Sequence, residues 1–324
     1  MKNSFSSRLM IGMALFLLAI IALAGCSQSS PNLPRKETGL SKEQNKKLQV
    51  VTTFAPLYSF TLNIAGDAAQ VKNLVPIGTS IHTFQAKPSD VKKIAQADVL
   101  ITNGVGLETF LNDIIEAAAK PSLIIVDTSK SVKIIEQEEL ADVGSKKNGY
   151  KSGDPHIWLS PKNAIKQVET ICNALAKADP GNAKVYKENT RRYIKRLETL
   201  HKDIASELAG AKKKKFIVFH NAYQYFEREY GLRSTASIEE FPGKEPGPRY
   251  LKNLIDLIQR EGIKVIFTEP QFSPKIVKAL TQETGVCASS LDPIGNELSS
   301  KGYEKMMRNN VKSIKEAFSR VADK

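Results

Sequence analysis

The chain has 324 residues, 41% hydrophobic and 25% charged, with a formal charge of +13, only four histidines and three cysteines. The roughly 275 residues from Leu48 onward exceed what one compact core needs and suit two lobes. Its Lys and Arg are scattered among Asp and Glu, and its aromatics form no stacking clusters, which argues against a nucleic-acid-binding face.

Lys2 and Arg8 flank the start of an uncharged stretch from Leu9 to Ala24 that closes in Leu23-Ala24-Gly25-Cys26. A short apolar core ending in small residues reads as a secretory signal over residues 1–25, short of the roughly 20 apolar residues that a spanning helix requires. The ending resembles a bacterial lipoprotein box, in which Cys26 receives the lipid. Residues 26–47 are polar, with Pro31 and Pro34 and little to bury, and read as a flexible lipidated tether. Such a chain is anchored to the cell membrane from outside the cytoplasm without spanning it, and its basic excess suits anionic lipid. Beyond about 8 Å that excess is screened, so local ligands decide whether a cation binds.

From Leu48 the pattern alternates. Leu48–Thr53, Val71–Val75, Val99–Thr102 and Leu123–Val126 read as strands, and Pro56–Ala65, a segment opening at Pro88 and Leu107–Ala119 as helices. The alternation predicts a mainly parallel sheet with helices on both faces. Thr128 to Gly153 dissolves into Lys, Glu, Gly and Ser and reads as a long surface loop. Pro161 opens a helix to about Ala178. Asp179 before Pro180 reads as an acidic cap. Beyond it Tyr186, Tyr193, Leu197, Leu200, Ile204 and Leu208 keep helical spacing, predicting a rod of roughly 30 residues and about 45 Å. That rod is taken as the linker (179–212) between lobes at 48–178 and 213–324. The second lobe repeats the alternation, with strands at Phe216–Phe219, Thr235–Ile238, Val265–Phe267 and Val286–Leu291. Its helices are read at Ala222–Tyr230, Tyr250–Glu261, Lys275–Glu283 and about Gly302–Val321. The fold class is therefore α/β, two lobes joined by one long rigid helix, which predicts modest lobe movement.

Three of the four histidines stand where an apolar run gives way to a loop: His82 in Ile-His-Thr-Phe, His156 in Asp-Pro-His-Ile-Trp, and His220 in Phe-His-Asn-Ala. Asp292 follows a similar run in Ser-Leu-Asp-Pro. Ligands of open α/β sheets sit beyond the carboxyl ends of strands, so these side chains are expected in the cleft between lobes. Neutral imidazole is the commonest ligand for divalent transition metals, and three imidazoles with one carboxylate close a tetrahedron around zinc. Glu269 ends a strand nearby and is read as an acceptor for the second ring nitrogen of a ligating histidine. Trp158 reads as a packing anchor, His201 as solvated and idle, and Cys172 and Cys287 as two buried free thiols.

At these residues the chain resembles the zinc/manganese-type solute-binding lipoproteins of bacterial ABC importers, in their zinc-type branch. The segments that carry it are Val50-Val-Thr-Thr-Phe-Ala-Pro-Leu-Tyr, His82-Thr-Phe-Gln-Ala-Lys-Pro-Ser-Asp, Asp154-Pro-His-Ile-Trp-Leu-Ser-Pro, His220-Asn-Ala-Tyr-Gln-Tyr-Phe, Glu269-Pro-Gln and Leu291-Asp-Pro. The resemblance implies a single metal held by His82, His156, His220 and Asp292. It also implies a monomeric, non-catalytic protein that works with a permease and its ATPase on other polypeptides. Manganese-type relatives carry glutamate where His220 stands, and imidazole suits zinc better than Mn2+, so Zn2+ is the expected cargo. One departure weakens the match: many zinc-type relatives have a histidine-rich loop where residues 128–153 have none. The rivals are a manganese- or iron-binding homologue, a zinc hydrolase using Glu269 as general base, and a surface adhesin that uses metal only to fold.

Overall fold

A computed structural model describes residues 47–136 and 153–322. The expected signal, nearly all of the tether with Cys26, and most of the 128–153 loop lie outside the described residues.

In the first lobe β1 (Leu48–Thr52), β2 (Ala69–Asn73), β3 (Val99–Thr102) and β4 (Ile124–Asp127) pair in the order β2-β1-β3-β4, every pair parallel. Helices α1 (Ala55–Ala65), α2 (Pro88–Gln96) and α3 (Leu111–Ala118) make the crossovers. The chain then forms α4 (Pro161–Ala178) and α5 (Ala183–Glu207). In the second lobe β5 (Phe216–Val218), β6 (Ala236–Ser237), β7 (Val265–Thr268) and β8 (Cys287–Ser290) repeat the arrangement as β6-β5-β7-β8, again all parallel. Its helices are α6 (Gln224–Tyr230), α7 (Pro248–Glu261), α8 (Lys275–Thr284) and α9 (Gly302–Ala322).

Strand side chains alternate between faces, and each sheet uses that alternation to feed two cores. Val50, Val99 and Ile101 point into a central core, while Val51 and Leu100 meet α2 and α3 on the outer face. Phe216, Val218, Val265 and Phe267 point into the same central core, while Ile217 and Ile266 meet α7 and α8. Between the sheets lie the apolar stripes of α1, α4, α5 and α9, including Phe60, Ile171, Leu197, Leu200, Tyr303 and Ile314. One apolar core thus runs without a break from the inner face of one sheet to the inner face of the other.

Helix α5 has 25 residues, about 37 Å at about 1.5 Å per residue, and is shorter than expected. The difference lies at its ends, where 3-10 turns at Pro180–Asn182 and Ala209–Ala211 take up part of the periodic stretch. Asp179 does not cap a backbone N–H. Its Oδ2 instead accepts from Asn182 Nδ2 (2.8 Å) and the Tyr186 hydroxyl (2.7 Å), because the 3-10 turn carries the helix start away from it. By contrast Ser160 caps α4, accepting the Asn163 N–H at 3.3 Å ahead of Pro161. Cys172 is buried and Cys287 half-buried, both free.

Trp158, fully buried, clasps the two lobes. Its indole Nε1 donates to the Pro293 carbonyl (2.6 Å), its ring meets Phe54 edge-on at 4.6 Å, and its carbonyl accepts from the Tyr303 hydroxyl at 2.8 Å. Closing such lobes by a wide hinge would tear the shared core. Small-angle scattering with and without metal should therefore show almost no change in radius of gyration, and a large compaction would contradict the shared core.

Candidate metal centre

His82 and His220 are placed by the chain leaving a parallel strand, and His156 by a buried 3-10 turn. After β2 the chain stays in register for two more residues, with the N–H groups of Leu74 and Val75 donating to the carbonyls of Thr52 and Thr53 at 2.9 Å, and then loops to His82. His220 follows β5 by two residues. His156 precedes the 3-10 turn Ile157–Leu159, whose three side chains are fully buried.

The three rings meet. His156 Nε2 lies 3.0 Å from His82 Nε2 and 3.2 Å from His220 Nε2, and the three ligand atoms all fall within 4.8 Å of one another. Zinc bonded tetrahedrally at about 2.0–2.1 Å would space its nitrogen ligands by about 3.3–3.4 Å, close to what is seen. His156 and His220 are buried and His82 half-buried.

Two of the rings set Nδ1 against a buried carboxylate. Asp154 Oδ1 sits 2.7 Å from His156 Nδ1 and accepts the His156 backbone N–H at 2.9 Å. Glu269 Oε1 sits 2.7 Å from His220 Nδ1. At His156 a contact this short between a carboxylate and a ring nitrogen needs a proton between them, so its Nδ1 carries one and its Nε2 presents a lone pair. His220 Nδ1 lies as close to its carboxylate but makes no hydrogen bond with it. Burial, and then the neighbouring rings, hold the imidazoles of His82 and His156 well below the usual 6.5, so neither is charged near neutrality. Burial also pushes the Asp154 carboxyl up to about 7. Asp154 Oδ2 and Glu269 Oε2 are buried without a hydrogen-bond partner, as expected of carboxylates whose compensation is a cation beyond the rings.

Asp292 is not part of this cluster. Its Oδ1 is committed to a turn, accepting from Ile294 N (3.1 Å), Gly295 N (2.9 Å) and Gln271 Nε2 (2.8 Å), and its backbone is held by Asn310. The turn nevertheless borders the site, since Gln271, Pro293 and Ile294 line the small cavity beside the three rings. Glu269 lies behind His220, on the side of the ring away from Nε2. His201 is not idle in solvent: its Nδ1 is 3.3 Å from the Tyr230 hydroxyl and 3.5 Å from Glu229 Oε1, where α5 packs on α6.

Two supporting residues escaped sequence reasoning. Asp154 lies two residues before His156, a spacing that also fits a plain turn before proline. Tyr225, on α6, donates its hydroxyl to the Asp154 carbonyl (3.0 Å) and accepts from Ile135 N (3.1 Å), so the second lobe holds the backbone that carries His156. Asn103 Nδ2 bonds the intervening Pro155 carbonyl at 2.9 Å, and buried Glu108 fixes the Asn103 loop through Asn103 N, Gly104 N and Thr53 Oγ1.

An open cleft of ≈ 560 Å³ leads to the three rings and is walled on one side by Glu240, Phe241, Pro242 and Lys244. Gly243, at φ 84°, brings this wall against Thr83, where a Cβ would lie 2.5 Å from Thr83 Cγ2. Only glycine permits both that conformation and that approach.

Paired α/β lobes with three imidazoles converging from segments far apart in sequence define a cation-binding protein of the cleft type. A model of the family described as zinc-uptake complex component A, periplasmic, matches residues 50–317, and the chain belongs to that family. The zinc-binding protein AdcA of Streptococcus pyogenes serotype M3 (strain ATCC BAA-595 / MGAS315) is 32% identical over 286 residues, 83% of this chain and 56% of AdcA, so the chain spans about half of that relative. The high-affinity zinc uptake system protein ZnuA of Bacillus subtilis (strain 168) is 31% identical over 314 residues, 94% of this chain and 97% of that protein. Among solved structures, the solute-binding protein FpvC of Pseudomonas aeruginosa in complex with Mn2+ superposes with a TM-score of 0.74 at 35% identity, covering 85% of this chain and 99% of FpvC. Among the described residues no helix is long and apolar enough to cross a membrane.

Removing the Asp154 carboxylate (Asp154→Asn) should weaken zinc binding about 10- to 100-fold, the usual effect of losing a partner behind a ligating histidine. Tyr225→Phe, one step further out, should cost less and leave the fold intact. Chelator competition reads both; unchanged affinity in Asp154→Asn would refute the orienting role.

Proposed function

We propose that the chain is the extracytoplasmic zinc-binding component of an ABC importer, taking up Zn2+ in the cleft and handing it to a permease driven by a separate ATPase. The observation that carries this is the convergence of three Nε2 atoms, on rings of which two set Nδ1 against a buried carboxylate. Membership of an uptake-complex family supports it. His82, His156 and His220 hold the ion. Asp292 closes the fourth position through Oδ2 when the 291–295 turn shifts toward the rings. Glu269 and Asp154 orient the rings and take no catalytic part. The lobes are read as residues 48–178 and 213–324 with a linker at 179–212, and Cys26 as the lipid attachment that keeps a monomer at the membrane surface.

Zinc rather than manganese follows from three nitrogen donors, since Mn2+ prefers oxygen while imidazole suits zinc. Cu2+ and Ni2+ bind such donors well too, so closed tetrahedral geometry and metal supply select the cargo. X-ray absorption on protein purified without added metal should show zinc with three nitrogen neighbours and one oxygen. Manganese or iron in a six-coordinate site would overturn the proposal. Deleting the gene should slow growth under zinc limitation, whereas a protein that only adheres to surfaces would leave it unchanged.

Metal binding needs unprotonated rings. Because burial keeps the His82 and His156 pKa values below 6.5, these rings stay neutral through physiological pH and accept protons only in more acidic solution. Burial also raises the Asp154 carboxyl behind His156 to about 7, so zinc affinity should begin to fall as pH drops through 7 and fall further where the rings take up protons. Chelator competition across that range checks the sign, and an affinity that stays level well below 6.5 would contradict it.

A further inference from the structure

At the end of β5 remote from His220, Lys212, Lys213, Lys214 and Lys215 run into the strand. Because β5 pairs in parallel with β6, the segment leading into β6 lies beside them, with Arg233 and Thr235. These residues line one concavity of ≈ 410 Å³, and no Asp or Glu lines it. Gly231, at φ 70°, turns the chain beside the Lys212 stem. Lys215 pairs with Glu261 at 2.9 Å, and Lys214 Nζ lies 5.4 Å over the Phe318 ring. Lys212 and Lys213 have no ion-pair partner among the described residues.

We propose that this pocket binds phosphate-bearing ligands, as a free phosphate group or as the phosphodiester of a lipid headgroup. Like charges gathered around one hollow repel each other, and a compact oxyanion with several acceptor oxygens relieves that repulsion for all of them at once. Lysine serves phosphate as a point charge on a flexible stem, and Thr235 adds a hydroxyl donor. The walls are cationic and hydroxylic rather than aromatic, which disfavours an apolar guest. Five residues of extended chain separate Lys215 from His220, about 16 Å, so an occupied pocket leaves the metal cleft open.

The test titrates the full chain with inorganic phosphate and with dihexanoylphosphatidylglycerol below its micelle concentration, following lysine side-chain NMR signals. Saturable binding is expected. Lys212→Gln with Lys213→Gln should weaken it about 10- to 30-fold, about fivefold per charge removed. Lys252→Gln with Lys312→Gln, which removes two exposed lysines elsewhere, should change it by less than about twofold. Equal affinity for the two probes identifies phosphate itself as the ligand, and tighter binding of the lipid identifies the headgroup; both support the site. Binding that never saturates, or equal loss in the two double variants, would reduce the pocket to diffuse surface charge and overturn it. Zinc affinity of the same variants should match the unmodified protein, so failure here is separable from failure of the zinc proposal.

Discussion

Two carboxylate–imidazole contacts set the character of this protein: Asp154 on His156 and Glu269 on His220, each at 2.7 Å. The first fixes a proton on His156 Nδ1 and so turns its Nε2 lone pair toward the point that the His220 ring reaches from the other lobe. Both carboxylates are fully buried, and an ionised carboxylate in such surroundings is costly unless a positive charge lies close. Burial pushes the Asp154 carboxyl up to about 7, which expresses that cost. A dication held by the rings supplies the missing charge through the imidazoles. Metal capture and ionisation of the supporting carboxylate are therefore linked.

Keeping three rings within such tolerance requires their lobes to hold still, and the shared core does this. Sheets that each bury one face against α1, α4, α5 and α9 are parts of one packed body, not beads on a rod. Trp158 extends the same principle to the site itself. Two residues past His156, its indole grips the carbonyl of Pro293, so a histidine loop and the Asp292 turn are tied by a single hydrogen bond. Tyr225 does the same in the opposite direction, reaching from the helix after His220 to the backbone of Asp154.

Much of this was legible before any coordinates. The end of β5 was readable because the apolar run Phe216–Phe219 stops at His220, and α4 was read from Pro161 to about Ala178. His220 and, through the loop after β2, His82 followed from the rule that parallel strands deliver ligands at their carboxyl ends, whereas His156 was marked by its Asp-Pro-His segment. What escaped was non-local. Nothing in the local pattern joins Tyr225 to Asp154, 71 residues apart, or Asp179 to side chains rather than backbone. His201 looked solvated because its helical neighbours are charged, yet its partners Glu229 and Tyr230 come from α6. The length of α5 was overestimated because 3-10 turns continue the apolar spacing without continuing the helix.

Asp292 bears on the difference between holding a metal and handing it on. A site whose four ligands were all pre-formed and rigid would bind zinc tightly and release it slowly. Here three nitrogens are set by packing and buried carboxylates, while the Asp292 carboxylate is already satisfied through Oδ1 by Gln271 and two backbone N–H groups. On the proposed function Oδ2 makes the bond to the metal, and the turn shift that brings it there strains the hydrogen bonds at Oδ1, so the net gain from the fourth ligand is smaller than from a free carboxylate. A partner that favours the turn-bound arrangement of Asp292 thereby loosens the ion without disturbing the three rings. The shared core leaves little room for lobe opening, so on the proposed function the turn at 291–295, not the lobes, is the element through which release is controlled.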